Sequence, residues 1–334
     1  MDNAGTVGRS ILDLSILNDG QSSADALRTT SALARRADEL GYSRFWVAEH
    51  HNMPSVACTA PAVLIAHLAA ITSHMHIGSG GVMLPNHSPL VVAEQFAMLE
   101  GLYPGRIDVG IGRAPGTDQR TAAVLRRMSD SLEEDDFPRD FLDLMGLLGQ
   151  PRTANGLWTQ FAATPVATSS PQVFLLGSSG YSAQLAGHLG LPFAFAHHFD
   201  TGGTMQATGL YRHTFRPSEV LDAPYMIVTA NVLAADSKED ADWHSAPSRL
   251  TALGRRTGRF IRLPSPHDAA VHPDLEAANR LPSSRIVGEI SVVVRELEEL
   301  VARTGAAEVM VTSVAYDLAA RLRSIELLAE HWIG

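Results

Sequence analysis

GYSRFWVAEHHNMPSVACTAPAVLIAHLAAITSHMHIGSGGVMLPNHSPLVVAEQFAMLEGLYPGRIDVGIGRAPG, residues 41–116, is the stretch on which the fold turns. Strand-like runs at 44–48, 76–79 and 107–111 alternate with helical runs. Each strand gives way to polar or glycine-rich residues: Glu49-His50-His51, Gly80-Gly81 and Gly112-Arg113. In a parallel α/β barrel, residues just past the carboxyl ends of the strands share one rim, where the chemistry is done. The stretch therefore gathers an acid–base histidine, a backbone-permissive glycine pair and an anion-binding arginine at one mouth.

The same alternation continues outward. Further strands are expected at 11–17, 172–176, 192–196, within 225–233 and at 308–313. A helix from about Ser23 to Leu40 is stopped by Gly41, a second helical region covers 119–149 with a break near Phe137-Pro138, and another helix covers 182–189. Eight strands with helices between them predict a (β/α)8 TIM barrel; an open doubly wound sheet is the alternative. The 334 residues are expected to form one domain over 1–334. Segments 150–171 and 254–284 do not fit the repeat and read as insertions, with Trp158, Phe161 and Phe260 available to cover a pocket.

Composition narrows the class. Apolar residues make up 45% and charged residues 19%, the profile of a soluble globule. A net charge of −10 leaves no basic stripe for nucleic acid or an anionic membrane. Cys58 is the only cysteine, so no intramolecular disulfide can form and a reducing compartment is expected. The N-terminal residues lack a charged-then-apolar signal, and the longest apolar stretch, 60–71, is too short to span a bilayer. A cytoplasmic location follows as an expectation. No metal site is expected: His50 and His51 diverge on an extended strand, and there is neither an HExxH motif nor a cysteine pair.

The turn Leu176-Gly177-Ser178-Ser179-Gly180-Tyr181-Ser182 joins an apolar strand to a helix. A helix N-terminus offers unpaired N–H groups, and Ser178, Ser179 and Ser182 can add O–H donors toward a phosphate. A plain N-cap by Ser182 is the simpler reading. Arg113 could clamp the same anion or form a surface ion pair with Asp118. His50 could exchange protons near neutrality or be a structural histidine at a strand end. Gly80-Gly81 permits close approach of a flat ring or marks a β-bulge.

The chain resembles the bacterial-luciferase-like family of flavin-dependent monooxygenases. The matching pieces are AEHH at 48–51, GSGGVMLPNHSPLVVAEQFAMLE at 78–100, PGRIDVGIGRAPG at 104–116, LGSSGYSAQLAGHLGLPFAFA at 176–196 and YDLAARLRSIELLA at 316–329. The resemblance implies FMN, as FMNH2 from a separate NAD(P)H:flavin reductase, and a flavin C4a-(hydro)peroxide formed with O2 that oxygenates a small organic substrate. It implies that the serine turn and Arg113 hold the FMN phosphate and that a cis peptide at Gly80-Gly81 supports the ring. It further implies that His50 is catalytic, with Glu49 orienting it, and that the chain forms a homodimer through the region of helix 60–71. Luciferase itself has a reactive cysteine just before the phosphate arginine; here that position is Gly112, so efficient light emission is not expected. His197, His198, Asn231 and Ser313 are weaker candidates for the mouth. The alternatives are an F420-dependent hydride-transfer enzyme of the same fold and a non-catalytic flavin-binding subunit.

Overall fold

The computed structural model describes residues 7–125, 136–199, 202–259 and 261–332. The alternation is realised as β1 (Gly8–Asp13), α1 (Ser23–Glu39), β2 (Arg44–Val47), α2 (Pro61–Ala70), β3 (His76–Met83), α3 (Pro89–Leu102) and β4 (Ile107–Gly112). Next come α4 (Gln119–Leu125), α5 (Phe137–Leu147), β5 (Gln172–Gly177), α6 (Gly180–Leu189), β6 (Phe193–Phe195), α7 (Thr204–Thr214), β7 (Met226–Ala235) and α8 (Lys238–Arg256). The chain ends with α9 (Pro266–Ala270), α10 (Leu275–Asn279), β8 (Ile286–Glu289), α11 (Ile290–Thr304), β9 (Glu308–Thr312) and α12 (Leu318–His331).

All strand pairs are parallel. The order β1-β2-β3-β4-β5-β6-β7-β9 closes on itself through β9 and β1, giving the eight-stranded (β/α)8 barrel. β8 was not expected. It pairs only with the outer half of the long β7, Val232 opposite Ile286 through Ala235 opposite Glu289, and stands outside the closed barrel.

Strand alternation sorts the core into two layers. Leu12, Trp46, Phe174, Ala194, Ile227 and Met310 point inward, and Trp46 meets Phe174 edge-on at 4.8 Å. Their neighbours Ile11, Phe45, Val47 and Val173 point outward against the helices. α1 opens with a capping box in which Ser22 is the N-cap and Asp25, inside the first turn, bonds back to it. α2 buries Leu64, Ile65 and Leu68 but leaves Val63 outside. Among the described residues, no helix is long and apolar enough to cross a membrane.

The two irregular segments differ from the expectation of covering flaps. In 150–171, Trp158 lies against Gly146 of α5, and Asp143 receives the Leu157 N–H at 2.8 Å; Phe161 is exposed. Neither aromatic lines the main cavity. Segment 254–284 is not structureless: α9 and α10 pack Ala269 and Ala278 against Ala246 and Leu250 of α8. Leu263 is tied to the loop after β1 through Leu17 and Asp19. Phe260 lies outside the described residues.

Candidate active site

A cavity of about 920 Å³ opens at the carboxyl ends of the strands. Its floor is the inner layer, with Leu12, Trp46 and Met310, and Leu14 and Met83 extend the apolar wall. Polar groups reach it from separate strand ends: His50 after β2, Gly80-Gly81 within β3, Arg113 after β4, Ser178, Ser179 and Ser182 after β5, His198 after β6 and Thr229 on β7.

At one end, α6 begins at Gly180, two residues earlier than expected. Ser179 is its N-cap but makes no side-chain capping bond, and Ser182 sits in the first turn. Ser182 is therefore not the cap. None of the three serine hydroxyls bonds another described residue, so hydroxyls and first-turn N–H groups remain available together. The Arg113 guanidinium lies over the Tyr181 ring at 4.4 Å to the centroid. Asp118 is not its partner, because that carboxylate accepts from Arg120 and Thr121. A half-buried cationic fork beside unpaired O–H and N–H donors suits a phosphate.

In the middle, the peptide between Gly80 and Gly81 is cis. The ladder with β4 also slips here, with Gly80 opposite Gly110 and Val82 opposite Ile111. A Cβ on Gly81 would stand 2.4 Å from Leu176 Cδ1 and 2.7 Å from the Gly110 carbonyl oxygen. Only bare backbone fits, and it forms one wall of the cavity.

At the other end, the Glu-His-His motif divides. Glu49, fully buried, does not reach the His50 ring. Its carboxylate accepts from His51 Nε2 at 2.7 Å, His87 Nε2 at 2.9 Å, the Met83 N–H at 3.0 Å and Asn86 Nδ2 at 3.1 Å. Burial alone would raise its pKa, but the bonds from His87, Met83 and Asn86 hold it below the usual carboxylate range. Glu49, His51 and His87 are close enough to be considered as metal ligands, a grouping that residue spacing alone did not reveal. Their separations are those of donated protons, so they form a hydrogen-bonded knot that braces the loop after β3 against the end of β2.

His50 is left free of that knot, with a buried Nδ1 that has no partner. Burial lowers its pKa, the charges of His51 and Arg255 add to this, and the Ala48 carbonyl and Glu49 oppose it. His198 behaves alike: burial brings it down to about 4, Arg255 and His50 contribute, and its Nδ1 is also unpartnered. His197 turns away and bonds Thr204 at 2.8 Å. Asn231 and Ser313 do not line the cavity, whereas Thr229 does. His198 and Thr229 line the cavity; of the two, Thr229 was not among the residues that sequence patterns singled out.

A parallel barrel whose mouth combines apolar walls with unpaired polar groups has the architecture of the small-molecule enzymes of the (β/α)8 class. Residues 11–307 match the family described as luciferase-like monooxygenase. A luciferase-like monooxygenase of Escherichia coli (strain K12) is 45% identical over 327 residues, covering 96% of each chain. The N-acetyl-S-alkylcysteine monooxygenase of Bacillus subtilis (strain 168) is 37% identical over 281 residues, 79% of this chain and 78% of its own. Among solved structures, apo-MsnO8 superposes with a TM-score of 0.88 at 36% identity, covering 97% of this chain and 98% of the other. The chain belongs to the luciferase-like monooxygenase family of flavin-dependent oxidoreductases.

Proposed function

We propose that the protein is an FMN-dependent monooxygenase that takes reduced FMN from a separate NAD(P)H:flavin reductase and uses O2 to oxygenate a small organic substrate. One observation carries this reading. Unpaired donors of the kind a phosphate needs (Arg113, Ser178, Ser179 and Ser182) line one end of a cavity whose middle is bare Gly80-Gly81 backbone and whose other end holds an unpartnered His50. The chemistry of that sequence of groups suits a phosphate, a flat ring and a reacting edge in turn.

Arg113 and the serine turn would hold the phosphate, and Gly80-Gly81 would carry the ring. When bound, the reduced flavin supplies two electrons to O2, so that one oxygen atom enters the substrate and the other leaves as water. This chain's task is then to orient, to dry and to manage protons. The apolar wall of Leu12, Leu14, Met83 and Met310 keeps water from the reacting edge. His50, kept neutral by burial, can accept a proton at Nδ1 and return it. Glu49 acts at a distance as the anchor of the knot that sets where the His50 backbone lies. The exposed apolar side chains Val63 on α2 and Val91, Met98 and Leu102 on α3 support a homodimer through this face.

The test is rapid mixing of the anaerobic protein–FMNH2 complex with O2. An absorbing species between reduced and oxidised flavin that persists well beyond the reaction of free FMNH2 supports the reading. Immediate oxidation at the free rate rejects it in favour of a deazaflavin enzyme or a flavin carrier. The relative named for N-acetyl-S-alkylcysteines makes N-acetyl-S-methylcysteine the first substrate to add. His50→Ala should keep FMN affinity and lower turnover by about 10²–10⁴-fold.

A further inference from the structure

We infer that Met83 is a positioning residue whose thioether fixes the edge of the flat ring in this cavity, held in place by a cradle of two glycines, Gly112 and Gly116; the inference rests on the flavin reading above. Placement follows from strand alternation. Gly81 and Met83 line the cavity from β3, while Val82 between them turns outward into the core. Two residues along a strand span roughly 7 Å, so a ring resting on Gly80-Gly81 meets Met83 next. Across the ladder Met83 pairs with Gly112, and Arg113 follows directly in the chain. Met83 therefore stands between the ring support and the phosphate cation.

The side chain is gripped from several elements. Its backbone N–H donates to Glu49 Oε2 at 3.0 Å, which ties it to the buried knot at the end of β2. A Cβ on Gly112 would stand 2.9 Å from Met83 Sδ and 3.3 Å from Cε, and the next atom, the Val82 carbonyl oxygen, is 3.8 Å away. Gly112 has no positive φ, so its backbone does not ask for glycine. The thioether does. On the other side, a Cβ on Gly116 would stand 2.9 Å from Met83 Cγ. That loop is anchored in turn: Asn86 Nδ2 donates to the Pro115 carbonyl at 2.9 Å, and Thr117 Oγ1 donates to the His51 carbonyl at 2.8 Å.

This is not ordinary core packing. Among the described residues Met83 belongs to none of the apolar clusters, and it is half-buried with the cavity on its open side. Methionine usually serves as an adaptable filler, because three rotatable bonds let it follow its surroundings. Here two missing side chains make room for it and a backbone bond holds its base, so it occupies one place before any ligand arrives. A polarisable sulfur against the edge of an aromatic ring is favourable, and placing it in advance spares the cost of ordering it on binding. Gly80-Gly81 would then support the face of the ring, and Met83 its edge.

Fluorescence titration of FMN and of riboflavin against four proteins tests this: the natural chain, Met83→Ala, Gly112→Ala and the double variant. Met83→Ala should weaken both ligands by the same factor, about tenfold, because they share the ring and differ only in the phosphate. Gly112→Ala should also weaken both, since the added methyl group displaces the sulfur; only the far end of a flexible side chain has to move, so the fold can absorb it. The double variant should bind no worse than Met83→Ala alone, because the methyl group then has nothing to displace. Unchanged riboflavin affinity in Met83→Ala, or losses that add in the double variant, overturns the proposal. Weakening of FMN alone does so too, because it would assign Met83 to the phosphate end. A natural chain that binds neither ligand rejects the flavin reading itself, and the proposal with it, before any variant is compared.

Discussion

At the amino-terminal end of the barrel, Arg44 donates to Asp108 at 2.8 Å and to Glu308 at 3.1 Å, and Asp108 also accepts from Trp46 Nε1 at 2.8 Å. His76, Gln172, Ser10 and Tyr225 complete the cluster. Burial would lower the Arg44 pKa, but the two carboxylates hold it well above its usual value; Asp108 is held low by Arg44 and His76 against its own burial. At the carboxyl end, among the described residues, His50 and His198 each have an unpartnered Nδ1, the hydroxyls of Ser178, Ser179 and Ser182 are unbonded, and Arg113 has no carboxylate partner. Both ends place polar groups in protein surroundings, and, the Glu49 knot apart, only the amino-terminal end satisfies them. The difference teaches that the closed end spends its polar groups on one another, whereas the open end leaves donors and imidazoles unmatched, as the proposed flavin site requires.

The sharpest way to break that comparison is Arg44→Met, which leaves Asp108 and Glu308 buried without their cation. A loss of about 3–5 kcal/mol is expected, read as a lower urea midpoint. An unchanged midpoint would mean that the cluster is not the brace described.

Acid titration of stability separates the two ends by pH. An unfolded imidazole takes its proton near pH 6.5, whereas His198 resists it down to about 4, and His50 is shifted in the same direction. Between those values the unfolded chain binds more protons, so stability should fall as pH drops from 6.5 toward 4, by up to about 3 kcal/mol for His198. The contribution of Asp108, whose pKa is depressed, is present above the usual carboxylate range and lost only as pH falls through its lower folded value. Two separate losses should appear in unfolding midpoints against pH, and His198→Gln should shrink the first alone.

Arg113→Gln should cost FMN affinity roughly 30-fold, about 2 kcal/mol, while stability stays within about 0.5 kcal/mol. Flavin fluorescence quenching measures it, and riboflavin, which has no phosphate, is the control. Equal weakening of both ligands would remove Arg113 from the phosphate. The smallest effect is expected from Ser179→Ala, a loss of about 1 kcal/mol for FMN and none for riboflavin.

The barrel was legible because its signals are local. Strand, turn and helix follow one another within about 30 residues in each unit, and apolar runs such as Val173–Leu175 declare themselves without partners. The serine turn and Arg113 were legible for the same reason, since a helix start after a strand end is a short-range feature. β8 escaped because a four-residue strand outside the closed barrel owes its existence to the overlong β7. Trp158 escaped as well: only the fold brings α5 beneath it.

The sequence by itself determined the alternation, the rim motifs and the family. It placed Glu49, His50 and His51 side by side but could not say which would meet which. Tertiary structure decided that Glu49 serves His51 and His87, that His50 remains free, and that His198 faces the cavity while His197 does not. It also decided that burial, more than any neighbouring charge, lowers the His50 pKa. The physical reason is closure: periodicity says which face a residue takes, but only the closed barrel brings distant strand ends to one mouth, where partners are gained or withheld.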